Sequence, residues 1–291
     1  PAWLTMTTDP CPEPMAALLG YTDSYYRGWL LAAINLSDLA AAGAQPTGLL
    51  VSLVLPADMA VGSFLRLLDG IDGCCVAGQA RVLGGNLKEG PRWELTATAV
   101  GTCDTPPMSR SGAGAGDVVV VIGDLGPFWA GYFATTRRLA VSEADLERLM
   151  RNVLMPRPQV AAGMALRRSG LLRACLDNSD GLYPSLLTLA AANGLGVLVD
   201  LAEVRFPPPV LAVADRLGID PVRFALGWGD WQLIGATRPE HLSEVRALCD
   251  RLGVSATPIG TLVAGGRVEI SYQGVVGPLM PLDSQRFLPA S

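Results

Sequence analysis

"INLSDLAAAGAQP", residues 34–46, is built of small and apolar residues around a single carboxylate, Asp38. The longer stretch "YYRGWLLAAINLSDLAAAG" has helical spacing and ends at Gly43, where a helix C-cap belongs. An alanine-rich helix of this kind reads as buried, and a buried acid needs a partner. Ser37 or Asp38 could cap a helix, or Asp38 could ligate a divalent cation. The elements around the segment give it a setting. "WLTMTTD" alternates and is threonine-rich, which predicts a strand ending at Asp9. "TGLLVSLVLP" predicts a strand stopped by Pro56, and "SFLRLLDGIDGCCVAGQARV" a helix with Phe64, Leu67, Leu68 and Ile71 on one stripe. "RWELTATAVGTC" is a further strand, so the first part of the chain is mixed α+β.

"DTPPMSRSGAGAGD", residues 104–117, has no periodicity and reads as a linker. We divide the chain into domains 1–105 and 106–291. "VVVVIG" follows as a continuous apolar run, typical of a strand covered on both faces. Helices are predicted at about 142–154 and 158–169, and over "GLYPSLLTLAAANG" and "PEHLSEVRALCDRLG". "LLRACLD", "GVLVDL", "WQLIGAT", "PIGTLV" and "RVEISY" predict strands of an α/β layered second domain.

Composition narrows the function. The chain has 291 residues, a formal net charge of −5 and 17% charged residues, which disfavours a nucleic-acid partner. Lys88 is the only lysine and His241 the only histidine. His241 lies in "RPEHLSEV", a solvated helix start, so Ser-His-Asp and Cys-His sites are excluded. No Walker A motif is present. The glycines of "SGAGAGD" precede their strand rather than follow it, which excludes a dinucleotide fingerprint. The six cysteines form no C-x-x-C pair and read as reduced thiols of a cytoplasmic protein. No run reaches the ~18 apolar residues of a membrane helix. No signal peptide opens the chain, and its strand-like beginning leads us to expect a preceding segment.

Three stretches could carry chemistry. Asp9 and Asp38 are turn and cap residues, or magnesium ligands. "VLGGNLKEGPRWEL" is a hairpin between Val82 and Trp93 with a Gly-Gly-Asn turn, or a place where Gly84, Gly85 and Asn86 let backbone approach a ligand. "CLDNSDGLYPSLL" delivers Asp177 on a strand and Asp180 at a helix start, with Ser179 between them. Asp180 is an N-cap there, or one of two carboxylates of a metal–phosphate site.

The order "TTD", "NLSDLAAAGAQP", "GGN", "RSGAGAGD-VVVVIGDLG", "LDNSDGL", "GWGDWQL" resembles the thiamine-monophosphate kinase family, within the aminoimidazole-ribonucleotide (AIR) synthetase superfamily. The resemblance runs from about residue 4 to the end. It implies a two-domain α+β fold, with the N-terminal α/β domain pairing into a dimeric β-barrel and a C-terminal α/β domain beside it. It implies ATP as co-substrate in the cleft between the domains, Mg²⁺ as cofactor, and transfer of the γ-phosphoryl group to thiamine monophosphate. Carried over, Asp9, Asp38, Asn86, Asp177 and Asp180 hold metal, and Asp38 and Asp180 are catalytic. Gly84, Gly85, Asn86, Arg110, Arg157 and Ser179 hold the nucleotide. Glu13, Asp230 and Trp231 face the acceptor. Such phosphoryl transfer is mostly positioning and charge neutralisation, so a chain poor in His and Lys suffices.

The chain departs from the family pattern at several positions. The family carries Asp-Asp-Ala upstream of "TTD". Its Gly-Gly-Asp is Gly84-Gly85-Asn86 here, and its Gly-Gly-Glu-Asp-Tyr-Glu-Leu is "GWGDWQL", with Gly229 in place of the first acid and Trp231 in place of Tyr. "PCPEPMA" keeps Glu13 without the family's His. Gln159 stands where an Arg ends "MPRPQ". These changes admit two alternatives: a different small-molecule acceptor, or a nucleotide-binding homologue without turnover.

Overall fold

The computed structural model describes residues 2–202, 204–272 and 275–276. The first part runs β1 (Trp3–Pro10), α1 (Met15–Leu18), α2 (Ser24–Ala42), β2 (Gln45–Leu55), α3 (Val61–Ala77), β3 (Val82–Glu89) and β4 (Glu94–Cys103). The second begins with β5 (Val118–Ile122), α4 (Pro127–Thr136), α5 (Glu143–Leu154), α6 (Val160–Ser169), β6 (Leu172–Asp177), α7 (Leu182–Asn193) and β7 (Gly196–Asp200). It continues with α8 (Pro208–Leu217), α9 (Val222–Ala225), β8 (Leu233–Thr237), α10 (Leu242–Arg251), β9 (Ala256–Val263), β10 (Val268–Tyr272) and β11 (Val275–Val276).

Two mixed sheets result, ordered β1-β4-β2-β3 and β11-β10-β7-β9-β5-β8-β6. In the first, β2 and β3 are parallel, because the α3 crossover between them returns the chain in the same direction. This corrects the hairpin expected over 82–93. Val82–Glu89 pairs with β2, β4 pairs with β1 and β2, and Gly84-Gly85-Asn86 lies inside a strand. The four-stranded sheet of one chain is open, with β1 and β3 at its edges, so the expected barrel is not closed within it.

Helix α2 is enclosed by both parts of the chain. It packs on α3, on β1 and β4, and on α6 and β6 of the second part. Leu31, Ala32, Ala33, Leu36, Leu39 and Ala40 are all buried, so nearly the whole circumference is covered. A helix enclosed on several sides is apolar all round, and its small residues let neighbours come close. Gly43 caps it in the left-handed conformation, as expected. Asp38 is not a cap: it sits within the helix, whose N-cap is Asp23.

Strand β5 divides two cores. Val119 and Val121 enter the core built on α4, α5, α7 and α8. Val120 and Ile122 enter the core shared with α2, α3, α6 and the first sheet. Period-two alternation into two apolar layers is why "VVVVI" shows no polar face. Polar contacts cross the same junction. Arg167 of α6 donates from Nε to the Gly43 carbonyl at 2.8 Å and pairs with Asp104 at 2.6 Å. Trp29 of α2 donates to the Pro156 carbonyl at 2.8 Å.

The sequence reading extended α3 through Val82, whereas the helix ends at Ala77. It did not anticipate α4, whose "PFWAGYFATT" is aromatic and buried without helical amphipathicity, nor α8 and α9 in proline-interrupted sequence.

Candidate active site

Asp38 lies where the two parts of the chain meet. One turn before it, buried Asn35 accepts the Asp9 amide at 3.1 Å and donates to the Leu31 carbonyl at 2.9 Å, fixing the end of β1 against α2. Thr7 of β1 donates to Asp38 at 2.5 Å. Ser37 donates to Asp177 of β6 at 3.3 Å. A single stretch of α2 therefore aligns the carboxyl-bearing end of β1 with that of β6.

A cavity of about 290 Å³ opens over this junction, lined by Asp9, Asp38, Asp177 and Asp180. Arg110, Ser179 and Trp231 complete its polar wall. A second cavity of about 310 Å³ adjoins it and shares Thr7, Asp38, Arg110 and Asp177. Burial, followed by the charge of Asp38, pushes the Asp177 carboxyl up to about 6, against the opposing bonds from Ser179 and Ser37 and the charge of Arg110. Asp180 is not the cap of α7, because that position is Gly181, in a conformation that needs glycine.

Four carboxylates line the cavity together with one guanidinium, an oxygen-rich set of the kind a hard divalent cation takes. Among the described residues no group of three potential ligands already meets at one metal-sized position. Mg²⁺ keeps several waters and takes one or two carboxylates together with phosphate oxygens.

Other sequence candidates lie elsewhere. Glu13 forms an ion pair with Arg27 at 2.6 Å, and Arg27 stacks over Trp93. Gly84, Gly85 and Asn86 are exposed on the edge strand β3. Arg157 lines a different cavity. Asp230 accepts the Gly126 amide at 2.7 Å and the Phe128 amide at 2.8 Å, so its carboxylate satisfies the N-terminus of α4. Burial raises its pKa to about 7 despite these bonds.

The aromatic loop 227–232 carries Gly229 where the family pattern has its first acid. Gly229 has φ of 105°, and a Cβ there would meet the Phe128 ring at 2.9 Å. Trp231 is buried beside the cavity with φ of 47°, an unfavourable conformation for a bulky residue. Among the described residues its indole N–H finds no hydrogen-bond partner.

The sequence reading missed Thr7, Asn35 and Ser37. Asn35 and Ser37 carried the same signal as Asp38, a polar residue inside an apolar helix. Buried Asn178 and Gln232 were missed as well. Asn178 donates to Gln232 at 2.8 Å and receives Ser185 at 3.1 Å, bracing the loop that carries Asp177 and Asp180.

Residues 2–103 match the family AIR synthase related protein, N-terminal domain, and residues 114–273 match AIR synthase related protein, C-terminal domain. The chain is 32% identical over 257 residues to the thiamine-monophosphate kinase of Halobacterium salinarum, covering 87% of this chain and 80% of that one. The crystal structure of thiamine-monophosphate kinase from Stenotrophomonas maltophilia superposes with a TM-score of 0.82 at 27% identity, covering 94% of this chain and 86% of that one. AaThiL complexed with AMPPCP and TMP superposes with a TM-score of 0.80 at 26% identity, covering 92% and 83%. With both halves matched in order and an acid-lined cleft between them, the chain belongs to the thiamine-monophosphate kinase family of AIR synthase related proteins.

Proposed function

We propose that this chain is an ATP-dependent kinase that phosphorylates thiamine monophosphate, using Mg²⁺ held by Asp9, Asp38, Asp177 and Asp180. The observation that carries this reading is the gathering of those four acids, with Arg110, in one cavity between the two parts of the chain. When bound, Mg²⁺ supplies charge neutralisation at the phosphate oxygens and orients them. The chain's own residues do the rest. Thr7 and Ser37 hold Asp38 and Asp177 in place, and Arg110 offers the guanidinium that offsets charge on the transferring phosphoryl group. Ser179 bonds the Asp177 carboxyl and helps to orient it, and Trp231 walls the cavity. The test is ADP release in the presence of ATP, Mg²⁺ and thiamine monophosphate. ADP release that does not depend on the monophosphate would overturn the acceptor, and ADP release that survives EDTA would overturn the cation.

Asp177 makes the cation's role visible in stability. Its folded pKa is raised, so its contribution to stability is fully present below the ordinary carboxylate pKa and is lost as pH rises through about 6. In EDTA, the melting temperature is expected to fall between about pH 4 and pH 7 as this carboxyl ionises beside Asp38. Asp230 acts in the same direction but lies outside the cavity. The discriminating measurement is therefore the gain on adding Mg²⁺, which should be larger at pH 7 than at pH 5. An equal gain at both pH values counts against Asp177 as a ligand.

We also propose a homodimer formed through the first sheet. Leu4, Met6 and Leu50 are each roughly half exposed or more and share one face by register, while α2 and α3 cover the opposite face. An uncovered apolar sheet face with an exposed edge strand favours a second copy, and a closed barrel removes the edges. Gly84, Gly85 and Asn86 line none of the three cavities described in one chain, so the second copy is their route to a nucleotide. Met6→Asp with Leu50→Asp is expected to give a monomer by sedimentation. A double variant that sediments unchanged would remove this interface.

The boundary at 105/106 remains our division of the chain, within the segment between the two sheets. Cytoplasmic location is part of the same reading, supported by six unpaired cysteines. Among the described residues no helix is long and apolar enough to cross a membrane.

A further inference from the structure

A cavity of about 570 Å³ in the second part of the chain shares no residue with the carboxylate cavity. Four arginines converge on it from three segments: Arg148 and Arg151 on α5, Arg157 in the loop after it, and Arg205 in the loop before α8. Among the described residues Asp124 is the one acid in its lining, and its carboxylate already accepts the Ser255 hydroxyl at 2.9 Å. Among the described residues Arg148, Arg157 and Arg205 form no ion pair, and Arg151 pairs only with exposed Glu147, outside the cavity. In a chain of net charge −5, such a concentration of guanidinium groups is a local positive field. Like charges held together repel, and the arrangement gains most from an anion that several guanidiniums can fork at once.

The rest of the lining says what the anion is attached to. Phe206 and the run Pro207, Pro208 and Pro209 form an apolar wall with Leu149 and Met155. A bare inorganic ion has no use for that wall, whereas an organic phosphate would bury its non-ionic part there. The floor is braced, because the Asp124 carbonyl accepts the side-chain amide of Gln232, which in turn receives Asn178.

We propose that this cavity is a second, metal-independent site for a phosphate-bearing small molecule. The phosphoryl group sits on Arg148, Arg157 and Arg205, and the organic part lies on the Phe206–proline wall. This goes beyond the kinase reading, and it does not require that reading to be right.

The test is isothermal titration calorimetry in EDTA, with inorganic pyrophosphate and thiamine monophosphate as separate probes. The protein is the full chain carrying Asp38→Asn, and any binding left in the carboxylate cavity is common to it and to the arginine variant. Thiamine monophosphate is expected to bind, and to lose about tenfold or more in affinity in the further double variant R148Q/R205Q, since each charge-assisted contact is worth more than a neutral one. Both arginines are exposed, so the substitutions should leave the thermal melt unchanged, which is checked in parallel. If thiamine monophosphate binds more tightly than pyrophosphate, the organic part is seated as proposed. If pyrophosphate binds equally well, the wall has no role and the organic-phosphate assignment is overturned. No binding in EDTA, or equal binding by R148Q/R205Q, overturns the site itself. Because no metal and no turnover enter the measurement, loss of kinase activity elsewhere would leave its outcome unaffected.

Discussion

Asp38→Asn is expected to lower kcat/KM by at least about a hundredfold, because it removes one of the negative charges that position cation and triphosphate where transition-state charge is stabilised. The substitution is nearly isosteric, and the amide oxygen can still accept the Thr7 hydroxyl, so the fold should persist. It also removes the charge that helps to raise Asp177. In the absence of Mg²⁺ the variant should therefore be as stable as the parent at neutral pH, or more so, while the stability gained on adding Mg²⁺ shrinks. These two effects separate a ligand from a structural residue. Loss of activity together with loss of Mg²⁺-free stability would assign Asp38 to the fold, and undiminished turnover would remove it from the site.

Gly163→Val tests the packing that brings the acids together. A Cβ at residue 163 would stand 2.0 Å from the Ala40 carbonyl oxygen and 2.9 Å from its carbon, both backbone atoms of α2 that cannot rotate away. Helix α6 would have to withdraw, at an expected cost of about 3 kcal/mol. Because Ala40 lies one turn beyond Ser37 and Asp38, withdrawal strains the Ser37–Asp177 bond. Thermal melting should show the destabilisation, and affinity for Mg²⁺ and nucleotide should fall with it. Ala161→Leu, exposed on the same helix, should change neither. A Gly163→Val protein with parental stability would show that α2 and α6 are not in close contact in solution.

Both variants point to where sequence reasoning succeeds. The quoted helix was legible from its alanines, its spacing and its C-cap glycine, and Asp38 was the polar residue inside it that read as a candidate ligand. "LDNSDGL" was legible because a strand followed by a short turn and a helix delivers its acids to one end of a sheet. The "GGN" segment was misread because glycine and asparagine suit turns, and local propensity cannot tell a turn from an edge strand whose partner lies thirty-odd residues earlier. Helix α4 escaped because all its faces are buried or aromatic, leaving no period to detect. Asp230 matched a motif, but its carboxylate is committed to two backbone amides, a contact that only the folded loop creates.

The sequence by itself determined that this chain has two α+β parts, lacks nucleophile–histidine chemistry, and presents spaced aspartates suited to metal and phosphate. Periodicity, caps and residue inventory are local properties, written along the chain. Only the tertiary structure decided that Asp9, Asp38, Asp177 and Asp180 share a cavity while Arg157 and Asp230 stand apart from it. Residues far apart in sequence meet through close packing of α2 against both sheets, and that packing depends on backbone contacts that no single segment encodes.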